Sequence, residues 1–124
     1  MAVMIKNIHA EPHEDDGKRF LIETGIPPGL TREQLVIYGW FKELAPPEGM
    51  KALLDGREET WRTFRREYYQ FLLEPAREPL LRELTEKARF EQITLVYDAV
   101  DDYRNHATVL KTLIELRMRM DDEY

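Results

Sequence analysis

Two short runs of this chain are apolar on both faces, and they restrict its architecture more than any other feature. They are Arg19-Phe20-Leu21-Ile22-Glu23 and Gln92-Ile93-Thr94-Leu95-Val96-Tyr97-Asp98. A strand with no polar face must lie inside a sheet that is covered on both sides, which is the habit of parallel strands. Between the runs lie about seventy residues of largely helical pattern, long enough for the crossover that parallel strands require. The chain is therefore expected to be α/β, a small mostly parallel sheet of about three strands with helices packed on it. Segments 20–24 and 92–98 are its central neighbours. The third strand is Val3-Met4-Ile5-Lys6-Asn7-Ile8, whose residues alternate in character.

Helix signals fill the remainder. Thr31-Arg32-Glu33-Gln34 has the form of a capping box, with Leu30 and Leu35 placed to pack as a hydrophobic staple. The spacing predicts a helix over 32–44, with Ile37, Phe41 and Leu44 on one stripe and Pro46-Pro47 as its stop. Residues 49–54 suit a single helical turn, ended by Asp55-Gly56. From Glu58 to Leu73 the period is clear, and Trp61, Phe64, Tyr68, Phe71 and Leu72 share one face. Pro79 suits the first turn of the next helix, with Leu80, Leu81, Leu84 and Ala88 inward. A last helix over 104–119 buries Ala107, Leu110, Leu113 and Ile114, and the closing Asp-Asp-Glu-Tyr is expected to fray. A chain of 124 residues with no repeat or low-complexity tract reads as one domain over 1–124.

Composition narrows function by exclusion. There is no cysteine, so disulfides and thiolate metal sites do not arise. The net charge of −6 argues against a nucleic-acid partner, since phosphate contacts call for a basic surface. The opening residues lack the apolar core of a signal peptide and no later stretch could span a membrane, so a cytoplasmic protein without membrane contact is expected.

Three clusters hold residues capable of chemistry. His9 and His13 stand among Glu11, Glu14, Asp15 and Asp16, all metal-ligand types. Pro12 interrupts the helix that would make the histidines converge, so a solvated acidic loop is the simpler reading and no metal is assigned. Arg62, Arg65 and Arg66 alternate with Tyr68 and Tyr69, as in single-strand binders. However, Glu58 and Glu59 precede Arg62 at ion-pair spacing, and the aromatic residues fall on the buried stripe. In the third cluster a strand ends at Asp98 and a helix starts near Arg104-Asn105-His106. His106 there can serve as a base, donate to an anion, or brace the loop against Asp101 or Asp102.

These segments carry a resemblance. Trp40-Phe41-Lys42-Glu43-Leu44-Ala45-Pro46 resembles the W-x-K-x-L-A-P of the YeaO-like family of small uncharacterised bacterial proteins. Residues 95–111, LVYDAVDDYRNHATVLK, resemble its L-x-Y-A-A-x-D-x-x-H-N-H-A-x-x-L-K, and Phe64–Tyr68 falls in a matching place between. The similarity runs nearly end to end. It departs at the turn after the second strand, where the family has D-R-x-W-P-R-G-L and this chain has Glu23-Thr24-Gly25-Ile26-Pro27-Pro28-Gly29-Leu30. Thr24 and Pro28 replace arginines, and Ile26 replaces a tryptophan. After Pro46 the family continues with Ser and then L-R-x-W-F, whereas this chain has Pro47 and then Met50-Lys51-Ala52-Leu53-Leu54. Arg104 replaces the first histidine of the last motif, while Tyr97, Asp101, Asn105, His106 and Ala107 remain.

Arginine fixes carboxylate or phosphate bidentately, and neither Thr nor Pro can. The resemblance therefore implies a divergent member that keeps the frame of a site but has changed its polar groups. The expected ligand-binding residues are Glu23, Thr24, Gly25, Pro28, Gly29, Asp101, Asn105 and His106, in a cleft between the two strand-to-helix turns. The partner is a small-molecule anion or another protein, and no cofactor is expected. The alternative is a small enzyme that uses His106 with Glu23 or Asp101 as acid and base.

Overall fold

A computed structural model describes residues 3–122. Its sheet has four parallel strands, β1 (Val3–Asn7), β2 (Lys18–Leu21), β3 (Gly39–Trp40) and β4 (Ile93–Tyr97). They lie in the order β1-β4-β2-β3, so the two doubly apolar runs are indeed the central neighbours. All five residues of β4 are buried. The helices are α1 (Arg32–Leu35), α2 (Glu48–Lys51), α3 (Glu58–Leu72), α4 (Glu78–Phe90) and α5 (His106–Asp122). The chain tail is only partly in view: Asp121 and Asp122 end α5, while Glu123 and Tyr124 lie outside the described residues.

One expected element is different. The capping box forms, with the Gln34 N–H donating to Thr31 Oγ1 at 3.2 Å and the Thr31 N–H donating to Gln34 Oε1 at 2.9 Å. The helix it starts nevertheless ends after one turn instead of continuing to residue 44. Val36 turns into the left-handed region at φ 51°, and the chain then joins the sheet. The Tyr38 N–H donates to Arg19 O at 2.7 Å and the Phe41 N–H to Leu21 O at 3.0 Å, which makes β3 the fourth strand. Gly39 permits this approach, because a Cβ there would stand 2.9 Å from the Phe20 ring. The proposed stripe is divided accordingly. Phe41 and Leu44 enter the main core, whereas Ile37 packs on the opposite face of the sheet.

That opposite face is thinly covered. Phe20, Ile22, Leu95 and Tyr97 point into the core formed with α3, α4 and α5, where Phe64, Tyr68, Leu84 and Leu110 are fully buried. The alternate residues Leu21 and Val96 meet only Ile8, Leu35 and a fringe that includes Ile26, Leu30 and Trp40. Beneath this side lies a buried charge cluster. Asp16 accepts from Lys6 Nζ and from Arg19 Nη1, each at 2.7 Å, and Arg19 Nε donates to Leu35 O at 2.9 Å. Asp16 is therefore not part of a solvated acidic loop: it is 1% exposed and ties the loop to β1 and β2.

Candidate functional site

The parallel register Leu21↔Val96 brings the ends of β2 and β4 out side by side. Ile22 and Glu23 therefore emerge next to Asp98. The Glu23 carboxylate turns back over the strand ends and becomes a hub. Its Oε2 accepts the Asp98 backbone N–H at 2.8 Å and lies 2.6 Å from His106 Nε2, while Oε1 accepts Lys51 Nζ at 2.5 Å. Burial alone would raise the Glu23 pKa, but the bonds from His106, Lys51 and Asp98 outweigh it and hold the carboxyl below its ordinary range. His106 Nε2 also lies 3.0 Å from Ile22 O. Both neighbours are acceptors, which assigns the proton to Nε2. The ring is fully buried, with Tyr68 and Tyr97 edge-on to it.

The start of α5 is built by local bonds. Asn105 caps it, accepting the Thr108 N–H at 3.0 Å and donating to Asp101 O at 3.0 Å. Asp101 Oδ1 accepts the N–H groups of Arg104 and Tyr103, at 2.9 and 2.7 Å, and these bonds hold its carboxyl below the ordinary range. Asp102 bonds the Tyr97 hydroxyl at 2.8 Å, and burial together with that bond raises the phenol pKa. The loop acids expected to brace His106 are thus engaged elsewhere, and Glu23 takes that place.

Beside this junction lies a cavity of about 690 Å³. Residues 51–56 form one wall, residues 98–101 form the other, and Trp61 and Arg104 complete it. Of the eight residues singled out in the sequence, only Asp101 lines it. Glu23, Asn105 and His106 are buried behind it. Thr24, Gly25, Pro28 and Gly29 are exposed in their turn and lie outside the lining. The reason is the direction of that turn: Ile26 and Leu30 carry it onto the thin side of the sheet, and the Trp40 indole N–H fixes Glu23 O at 2.6 Å. Lys51, Asp98 and the cavity role of Trp61 were not identified from the sequence. Trp61 sits at the edge of the aromatic stripe, and only the folded position of residues 51–56 exposes it to the cavity.

The other two clusters are partly taken up by structural bonds. His13 Nδ1 accepts the Asp15 N–H at 3.0 Å, and the Asp16 carboxylate accepts the His13 N–H at 3.0 Å. His9 is exposed, with Nε2 3.8 Å from Asp98 Oδ1. Among the described residues no group of three or more His, Asp or Glu side chains is placed to hold a metal ion. On α3, Arg62 pairs with Glu58 at 3.5 Å, and Arg104 reaches the same carboxylate at 2.7 Å. Tyr68 is fully buried and donates to Leu44 O at 2.6 Å, so it offers no stacking surface. Among the described residues no helix is long and apolar enough to cross a membrane.

A family model described as the inactive DUF488-N3 subclade matches residues 2–124. The chain belongs to this subclade. The chain is also similar to uncharacterised bacterial proteins. The uncharacterised protein YeaO of Escherichia coli K12 is 28% identical over 110 residues, covering 89% of this chain and 94% of its own. The uncharacterised protein Rv3073c of Mycobacterium tuberculosis H37Rv is 25% identical over 115 residues, covering 93% and 95%. No solved structure matches the chain. The chain is thus a divergent YeaO-like α/β protein, in which the segment from Asp101 to Ala107 builds the cap of α5 and delivers His106 to Glu23.

Proposed function

We propose that this protein is a binding module that takes a small molecule in the cavity between residues 51–56 and 98–101. The observation that carries the reading is the cavity itself. Its volume of about 690 Å³ is within the range of sites for small ligands, and it opens at the carboxyl ends of central parallel strands, where α/β sheets bind them. Its walls mix apolar groups such as Leu53, Leu54 and Trp61 with a few charged ones, the usual composition of such a site. Binding is favoured over catalysis because Glu23 and His106, the pair best suited to proton transfer, are held away from the cavity. The His106 ring is fully buried against Glu23, and Asp101 is committed to two backbone N–H groups. The description of the subclade as inactive agrees with this. A cysteine-free chain also suits a reducing compartment such as the cytoplasm.

The test is a fragment screen followed by amide NMR. Hits should shift the amides of residues 51–56 and 98–101, and Leu54→Trp, which fills the cavity with the larger ring, should abolish those shifts. Hits that map elsewhere, or that persist unchanged in the filled variant, would remove the reading.

A further inference from the structure

Resting on the proposal that the cavity binds small molecules, we infer that its ligand carries a cationic nitrogen, an ammonium or similar group attached to an apolar or aromatic body. The inference comes from which charged groups in the wall are already neutralised. Three carboxylates and two cations line the cavity. Both cations are held by carboxylates outside the lining: Lys51 Nζ is 2.5 Å from Glu23 Oε1, and Arg104 Nη2 is 2.7 Å from Glu58 Oε2. An anion entering the cavity would meet two cations whose charge those carboxylates already offset.

Two of the carboxylates are also engaged. Asp55 accepts from Thr60 Oγ1 and Arg57, and Asp101 accepts two backbone N–H groups. Asp98 differs. Its backbone N–H serves Glu23, but among the described residues no donor reaches its carboxylate within hydrogen-bond distance. The nearest partner is His9 Nε2 at 3.8 Å, on an exposed ring. Asp98 is thus the wall carboxylate with both oxygens unused, whereas Asp101 keeps only Oδ2. The Trp61 indole lines the same cavity, and an aromatic face attracts a cation or stacks on a flat ligand. A ligand ammonium that meets Asp98 while its apolar body lies against Leu54 and Trp61 would use each of these groups.

Three probes of one shape separate the possibilities: phenethylamine, 2-phenylethanol and 3-phenylpropionate, titrated by amide and indole NMR. The amine should bind about fivefold or more tighter than the alcohol, with the carboxylate weakest. Asp98→Asn should bring the amine to the level of the alcohol and leave the alcohol unchanged. Its fold should persist, because the side chain makes no hydrogen bond among the described residues. A carboxylate that binds best, or an amine advantage that survives Asp98→Asn, overturns the inference. Equal binding of all three at residues 51–56 and 98–101 also overturns it, yet keeps the cavity as a binding site. No shift with any probe removes both readings.

Discussion

Glu23 is the residue on which most of this structure converges. It joins β2, α2, the end of β4 and α5 through one buried carboxylate. Removing it strands His106 in the core and releases Lys51. Leaving the buried donors of this hub without their acceptor costs about 1–3 kcal/mol, so Glu23→Ala should lose at least about that much in urea unfolding. The same group gives a pH signature. The carboxyls of Glu23 and Asp16 are both held below their ordinary values of 4.5 and 3.8. A depressed carboxylate stabilises the fold fully above its unfolded pKa and loses that contribution as pH falls through its folded pKa. The urea midpoint should therefore be insensitive to these groups between about pH 5 and 7 and fall steeply below about pH 4. Glu23→Gln should flatten part of that acid limb, and an unchanged limb would show that the Glu23 bonds do not form in solution.

At the scale of elements, α1 shows where local signals stop being sufficient. Val36 closes the helix with a β-branched side chain at φ 51°, which costs of order 1–3 kcal/mol in backbone strain, and its side chain is 59% exposed. Val36→Gly should therefore raise stability by about 1 kcal/mol in chemical denaturation, since glycine adopts that conformation without strain and little packing is lost. A loss of stability would mean that the left-handed turn does not form. The β-branched and aromatic run Val36-Ile37-Tyr38-Gly39-Trp40 is the local hint of this turn, and the apolar stripe to Leu44 masks it. Thr31 and Gln34 are three residues apart, so their capping box is visible in the sequence, but what ends the helix is the backbone of β2. The central strands were legible because their lack of a polar face is itself the signal. Of the Glu23 hub only the pairing with His106 was legible, as one alternative; Lys51 and the Asp98 N–H were not, because they lie 28 and 75 positions away with no motif to link them. Likewise, the Gly25–Gly29 turn was legible as a turn, while the side of the sheet it crosses depends on where Ile26 and Leu30 find apolar neighbours.

For the whole molecule, charge and topology set the expectations. The net charge of −6 opposes phosphate contacts, and of the exposed arginines on α3, Arg62 is paired with Glu58. Fluorescence anisotropy with labelled single-stranded DNA or RNA should show no saturable binding at physiological salt. A tight complex weakened by Arg65→Ala with Arg66→Ala would instead make α3 a nucleic-acid surface. Strand order carries a consequence for the chain as it is synthesised. β4 lies between β1 and β2, and Val3 is paired with Ile93, about ninety residues further on. Until that distant strand leaves the ribosome, β1 has no neighbour in the sheet and β2 has only the two residues of β3. The nascent chain must therefore carry β1 unpaired while about ninety further residues are made, a period in which helices such as α3 can form but the pairing of β1 cannot. Chaperones that hold exposed apolar segments would meet β1 and β2 in that interval, and a pause in translation before β4 has left the ribosome would prolong their exposure.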